Sequence, residues 1–340
     1  MFRLPVERLD ELFAMVSAAQ TLYIPADGKD SRAHYTKWEE GIKLSNALNT
    51  VRSAKDFFFP QTTNLCDFNK KDKEIEIIDN RTESEDFVVF GVRACDTRSF
   101  TILDKVFLVD PVDSYYATRR EHGTVVTLAC TEPEETCFCG VFGIDAASPE
   151  GDAACWIADG YLYITANTEK GEKFISLVSS LLEESSDEAV EAQKKATAEI
   201  MSRLPFNDID TSYFRKNTLL EIFNSDHWKK LSEACIGCGT CTFVCPTCQC
   251  YDIKDYDTGC GIKRYRTWDS CMYSDFTKTA GGNPRTSQVE RFRQRFMHKL
   301  VYFPDNNNEE FGCVGCGRCI SRCPISMNIV KVIKTFGEVQ

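Results

Sequence analysis

The sequence predicts an α+β chain in two parts: an N-terminal α/β domain with a partly parallel sheet over residues 1–215, and a smaller cysteine-dense domain over 216–340. Three observations carry that reading. Residues 86–204 alternate buried-strand runs with helical apolar stripes. The last third is loop-rich and dense in cysteine. Two near-copies of one cysteine phrase there frame a long insert at 247–312.

Taken in order, Met1 to Gln20 reads as an amphipathic helix on Leu9, Leu12, Phe13 and Val16, without the basic, apolar profile of a secretion signal. Asp86-Phe-Val-Val-Phe-Gly-Val92 is a buried-strand run. Asp96 and Thr97 can cap a helix carrying Phe100, Leu103, Val106 and Phe107, and Thr124 to Cys130 is a second buried strand, so the segment reads as βαβ. Cys155 to Ile164 reads as a hairpin turning at Asp159-Gly160. Residues near 170–204 read as helical, with a Glu-rich solvated stretch at Glu183 to Glu188. The boundary falls in the polar segment from Asn207 to Ser225, and the lack of a Gly/Ser linker predicts two parts packed together.

The repeated phrase is Cys235-Ile-Gly-Cys-Gly-Thr-Cys-Thr-Phe-Val-Cys-Pro246 and Cys313-Val-Gly-Cys-Gly-Arg-Cys-Ile-Ser-Arg-Cys-Pro324. Each is C-x2-C-x2-C-x3-C-P, the bacterial ferredoxin run in which three thiolates hold one 4Fe-4S cubane and the fourth reaches the other. The implied sets are crossed: Cys235, Cys238, Cys241 and Cys323 on one cluster, and Cys313, Cys316, Cys319 and Cys245 on the other. Gly237, Gly239, Gly315 and Gly317 let the backbone approach the clusters without a Cβ in the way. Zinc takes four ligands, usually as two separated pairs, and does not match this tandem pattern. The ferredoxin pattern also absorbs Cys241-x3-Cys245-x2-Cys248, whose spacing by itself fits a radical S-adenosylmethionine enzyme. The second part is therefore a ferredoxin-like dicluster domain interrupted by the insert.

Cys95 and Cys130 each end a predicted strand. If the helix between them is a crossover, both emerge at one sheet edge, where ligand sites form in open α/β sheets. Cys137 and Cys139 follow on a loop that folds back, giving four cysteines for a third cubane, with zinc or buried thiols as the alternatives. The insert adds Cys248, Cys250, Cys260 and Cys271, a candidate fourth cluster or zinc site against a reading as structural thiols. It also holds Lys263, Arg264, Arg266, Arg285, Arg291, Arg293 and Arg295 beside a stripe of Val289, Phe292, Phe296 and Leu300. A solvated helix face accounts for such arginines. The sharper reading is that cations near clusters raise their potential or dock an acidic partner.

Composition excludes several classes. A formal charge of -11 argues against nucleic acid as a partner, and no apolar run reaches the roughly 18 residues a membrane span needs. Eighteen cysteines in ferredoxin spacing point to metal in a reducing compartment, so the expected location is the cytoplasm. There is no G-x-G-x-x-G fingerprint, no P-loop and no haem attachment site, and none of the four histidines forms a ligand-like pair, so no residue is assigned a catalytic role. Flavin or a catalytic metal is expected on a partner chain.

The combination of Arg93-Ala-Cys-Asp96, Cys130-Thr-Glu-Pro, Cys137-Phe-Cys-Gly140, Cys245-Pro-Thr-Cys-Gln-Cys-Tyr251, Trp268-Asp-Ser-Cys-Met272, Ala280-Gly-Gly282 and the second ferredoxin run resembles the 4Fe-4S dicluster subunits of anaerobic sulfite reductase and of sulfhydrogenase, where it is the beta subunit. Iron-sulfur subunits of electron-bifurcating transhydrogenases are similar. The resemblance spans most of residues 86–330. It implies a hetero-oligomer in which the chain relays electrons between an FAD/NAD(P)-binding flavoprotein partner and a catalytic or second redox subunit, with ferredoxin as a further candidate partner. In that family the positions of Cys95, Cys130, Cys137 and Cys139 recur together, which favours the third cluster, whereas Cys260 has no secure counterpart. Two other readings are a cluster carrier or scaffold, and a reductase whose substrate binds at an open iron beside Cys248, Cys250 and Cys271.

Overall fold

The computed structural model describes residues 1–71, 74–79 and 85–338, with backbone alone at 70 and 71. Its strands are β1 (Phe2–Pro5), β2 (Thr21–Asp27), β3 (Ala33–Lys37), β4 (Thr62–Lys71), β5 (Glu74–Asp79), β6 (Phe87–Val92), β7 (Gly123–Leu128), β8 (Ala153–Ala158), β9 (Tyr161–Ala166), β10 (Glu183–Glu184), β11 (Tyr251–Asp257) and β12 (Gly261–Trp268). The larger sheet has the order β10-β1-β9-β8-β7-β6-β2-β3. Its centre, β2-β6-β7-β8, is parallel, and the flanking pairs are antiparallel. The partly parallel α/β expectation therefore stands.

Strands β6 and β7 are buried along their whole length because helices cover both faces. Val88 and Phe90 point into one core with Leu12, Phe13 and Val16. Phe87 and Val89 point into the other, with Phe100, Leu103 and Phe107. A bulge between Phe90 and Val92, turned by Gly91 at φ 78°, shifts the alternation so that Val92 joins the second core. The helix Ala94–Phe107 is the crossover between these parallel strands, so Cys95 and Cys130 do leave the sheet at one edge.

Several local expectations shift. The first residues form β1, and the amphipathic helix begins only at Leu9. The crossover helix starts at Ala94 behind an extended Arg93, which places Asp96 and Thr97 inside the first turn rather than at the cap. The helical stretch near 170–204 is two helices, Glu169–Val178 and Glu188–Ser202. Between them the Glu-rich segment supplies β10, which pairs with β1 through Phe2 and Glu184. The hairpin at Asp159-Gly160 forms as expected, with both residues at positive φ.

The cysteine-dense part packs around Trp228, Phe292, Phe296, Ile333 and Phe336. Its longest helix, Gln288–Met297, opens with a reciprocal Ser287–Glu290 capping box and runs on into a π turn, His298–Tyr302. The insert also contributes β11 and β12, and these join β4 and β5 in a second, antiparallel sheet of order β11-β12-β4-β5. Sequence periodicity did not reveal that sheet, because its strands mix charged and apolar residues and are buried only near one end, at Thr63, Arg266 and Trp268. Beyond this shared sheet, the two parts are clamped by one buried ion pair. Arg318 donates from Nη1 and Nη2 to the two carboxylate oxygens of Asp96 at 2.5 and 2.7 Å, and from Nε to the Thr50 carbonyl.

Removing one partner of a buried, bidentate pair strands the other charge, at a cost of about 3–5 kcal/mol. Asp96→Ala is therefore expected to lower the midpoint of anaerobic urea unfolding sharply. Asp255→Ala, which removes the exposed partner of Arg264, should leave that midpoint where it is.

Candidate metal centres

The two ferredoxin loops have matching backbones. Gly239 and Gly317 both adopt left-handed conformations, at φ 73° and 77°, and each starts a one-turn helix: Thr240–Phe243 in the first loop and Arg318–Ser321 in the second. These short helices pack on each other, relating the two loops as near-symmetric halves. In the second set, Cys313, Cys316 and Cys319 each lie within electrostatic reach of Cys245 from the other loop, as the crossed pattern requires. In the first set, Cys241 lies in reach of Cys235 and Cys238. Cys235 and Cys323 line the same apolar core. Cys238 is exposed, and a hydrogen bond with the Thr240 hydroxyl at 3.4 Å is the main influence lowering its pKa.

The third set assembles at the sheet edge. Cys139 lies in reach of Cys130, Cys137 and Cys95, and all four thiols are buried. Burial raises Cys137 and Cys139 to about 12, so each is a neutral thiol near neutral pH. This group does not stand apart from the ferredoxin pair. Cys95, Cys130, Cys139 and Cys316 share one packed cluster with Ala94, Ile144, Phe303 and Val314. The Phe138 amide donates to the Gly315 carbonyl at 2.9 Å. A Cβ on Gly315 would stand 2.5 Å from the Phe138 carbonyl oxygen, and one on Gly317 would stand 2.7 Å from that of Thr136. Gly237 has no such neighbour, the nearest being the Gln288 side chain at 3.6 Å. The same sequence feature thus serves turn geometry in the first loop and backbone contact in the second.

The four cysteines of the candidate insert site are not all gathered at one point. Cys248, Cys250 and Cys271 come together beside Cys245 and Cys241. Cys260 is exposed at the turn joining β11 to β12, seven strand residues away from the Tyr251–Trp268 base, or about 23 Å at 3.3 Å per residue. Cys66 lies on β4 and Cys155 is enclosed within the large sheet, so both stay outside these groups.

Buried cations surround this region. Lys55 is 1% exposed, and its Nζ donates to the carbonyls of Cys245 and Cys248 at 3.1 and 2.8 Å while lying 3.6 Å over the Trp268 ring. Lys299 donates to the Thr247 hydroxyl at 2.6 Å and to the Gly312 carbonyl at 3.0 Å. Burial alone would lower the pKa of Lys299, but Cys245, Cys248 and Cys313 outweigh it and raise it. Sequence reading missed Lys55 and Lys299. The available signal for Lys299 was its i,i+4 spacing from Arg295, both interrupting the stripe of Phe292, Phe296 and Leu300. Arg295 and Arg266 are buried as well, which removes them from the solvated face expected for the basic stretch.

The donor sets are thiols throughout. Among the described residues, no three histidine, cysteine or carboxylate side chains are gathered so as to hold a single metal ion. Zinc draws its sulfurs to about 2.3 Å from one point. A cubane offers each thiolate its own iron, and the enclosed, cation-lined loops suit it better.

Known proteins agree with this chemistry. A family described as "4Fe-4S dicluster domain" matches residues 234–327. Sulfhydrogenase 2 subunit beta of Pyrococcus furiosus is 35% identical over 263 residues, covering 74% of this chain and 74% of that protein. No solved structure matches. No helix among the described residues is long and apolar enough to cross a membrane. With loops, thiols and similarity in agreement, the chain belongs to the family of 4Fe-4S dicluster iron-sulfur subunits that includes the sulfhydrogenase beta subunit.

Proposed function

We propose that this chain is a three-cluster electron relay in a soluble hetero-oligomeric oxidoreductase. Cys95, Cys130, Cys137 and Cys139 hold one 4Fe-4S cluster. Cys313, Cys316, Cys319 and Cys245 hold the next, and Cys235, Cys238, Cys241 and Cys323 hold the last. When bound, each cluster takes up and releases single electrons. The chain's own residues fix the order, exclude water and set the surrounding charge.

The observation that carries the reading is the position of Cys316. It belongs to the middle set, yet it packs in one apolar cluster with Cys95, Cys130 and Cys139. The exposed Cys238 gives the wire a surface end, whereas the middle set consists of the buried Cys316 and the half-buried Cys245, Cys313 and Cys319. The Pyrococcus relative is named as one subunit of a larger enzyme, which supports assembly with further chains. A flavoprotein that binds FAD and NAD(P) is the expected partner at one end, and a second redox or catalytic subunit the expected partner at the other.

Anaerobic iron and sulfide assay should give about 12 irons per chain, whereas about 8 would remove the third cluster. Replacing Cys137 by Ser should abolish one EPR signal of the reduced protein and keep those of the ferredoxin pair. Gly315→Ala must both strain a left-handed residue and push against the Phe138 backbone, so it should lower stability by more than the roughly 1–3 kcal/mol of a strained backbone position. Gly237→Ala should show only that smaller loss in the same unfolding experiment. Finally, affinity isolation from its native host should bring down a flavoprotein, and recovery as a lone chain would sink the subunit reading.

A further inference from the structure

Arg295 is a buried guanidinium with no carboxylate paired to it among the described residues. It is 5% exposed, and its Nε has no hydrogen-bond partner there. Its contacts are the face of Phe296 at 4.5 Å and the electrostatic field of Cys241, Cys319, Cys248 and Cys245. A stranded interior cation is costly unless negative charge lies close by. Thiolates of the loaded sites would supply that charge, and these cysteines include members of both ferredoxin sets.

The cations are distributed unevenly. Lys55 and Lys299 both bind the segment from Cys245 to Cys248, through its carbonyls and the Thr247 hydroxyl. Arg295 lies between the two ferredoxin sets, with Cys241 of the first and Cys319 of the middle set its foremost cysteine neighbours, and Cys245 is a ligand of the middle set. By contrast, the exposed Cys235–Cys241 loop has Arg295 alone in reach. At the sheet-edge set, Arg318 is neutralised by Asp96, which leaves Arg93, held by the carbonyls of Leu48, Leu128 and Ala129, as a single uncompensated cation in reach among the described residues.

Resting on the three-cluster reading, we infer that Arg295, Lys299 and Lys55 make the middle position the electron well of the wire. An electron arriving at either neighbour is most stable once it has moved to the Cys245, Cys313, Cys316 and Cys319 set. Adding one electron there increases the negative charge by one, with no bond made or broken and no proton taken up, and fixed cations close by favour that change. These three side chains are positioning residues for charge, not ligands. The order they impose is highest potential in the middle and lower potential at both ends.

The test is an EPR-monitored redox titration of the full-length, anaerobically loaded chain, with the middle signal assigned through Cys245→Ser. In the unmodified protein that signal should appear first on stepwise reduction. Arg295→Met should lower its reduced-to-oxidised ratio, together with that of the Cys235-set signal, at fixed potential by about tenfold, equivalent to about 59 mV for one electron. Arg295→Lys should recover most of that ratio. Lys299→Met should lower the middle signal similarly and leave the Cys235-set signal in place, a separation that a merely structural role would not produce. If Arg295→Met fails to load iron, Lys299→Met decides the matter. Full iron content with an unmoved ratio in the neutral variants, or a middle signal that appears last, overturns the inference. About 8 irons or fewer in the unmodified chain would instead overturn the three-cluster reading beneath it.

Discussion

The architecture depends on how closely two backbones approach each other. The loop from Cys313 to Cys319 lies against the loop from Thr136 to Cys139 with no room for a Cβ at Gly315 or Gly317. The amide of Phe138 bonds the carbonyl of Gly315 across the contact. The Arg318–Asp96 pair then holds the helical turn that follows, binding the ferredoxin half to the first turn of the crossover helix. Once these contacts are fixed, Cys316 has no place to be except beside Cys95 and Cys139. The placing of Cys316 beside the sheet-edge cysteines is thus a packing result, and it follows from residues other than those cysteines.

Much of the site was legible in the residues. The tandem cysteine phrase carries its own expected pairing, three ligands from one loop and a fourth from the other, after the bacterial ferredoxin pattern. The sheet-edge group was legible for another reason: β6 and β7 read as buried strands, and a helix between two such strands makes them parallel. The illegible parts are those where distant segments decide. Cys260 looked like a ligand by count, yet strand pairing between Tyr251 and Trp268 carries it to the far turn. Arg295 looked like a member of a solvated basic stretch, but it faces inward with Phe292 and Phe296. Lys55 gave no signal, since its partners are backbone carbonyls nearly 200 residues away.

The cations also show how an acidic chain manages charge. With a net formal charge of -11, the surface repels added electrons overall. The interior around Cys245 does the opposite. Lysine and arginine there are held by carbonyls, a hydroxyl and aromatic faces, none of which cancels their charge. A carboxylate at any of these positions would have been a better partner for stability alone. Among the described residues Lys299 and Arg295 have no carboxylate partner and the Asp56 near Lys55 is itself paired with Arg52, which leaves the positive field available to whatever negative group the thiols bind.

The second sheet bears on how the molecule comes into being. Strands β4 and β5 are synthesised early, while β12, which completes the edge of β4, lies nearly 200 residues further on. Until it arrives, β4 presents an open edge, next to exposed Ile75 and Ile77 on β5. The nascent chain therefore carries an adhesive border through most of its synthesis, and pairing at such sequence separation is slow. Evolution cannot trade the ferredoxin part of this protein as a free module, because cutting it away also removes the strand that makes the first part safe to fold.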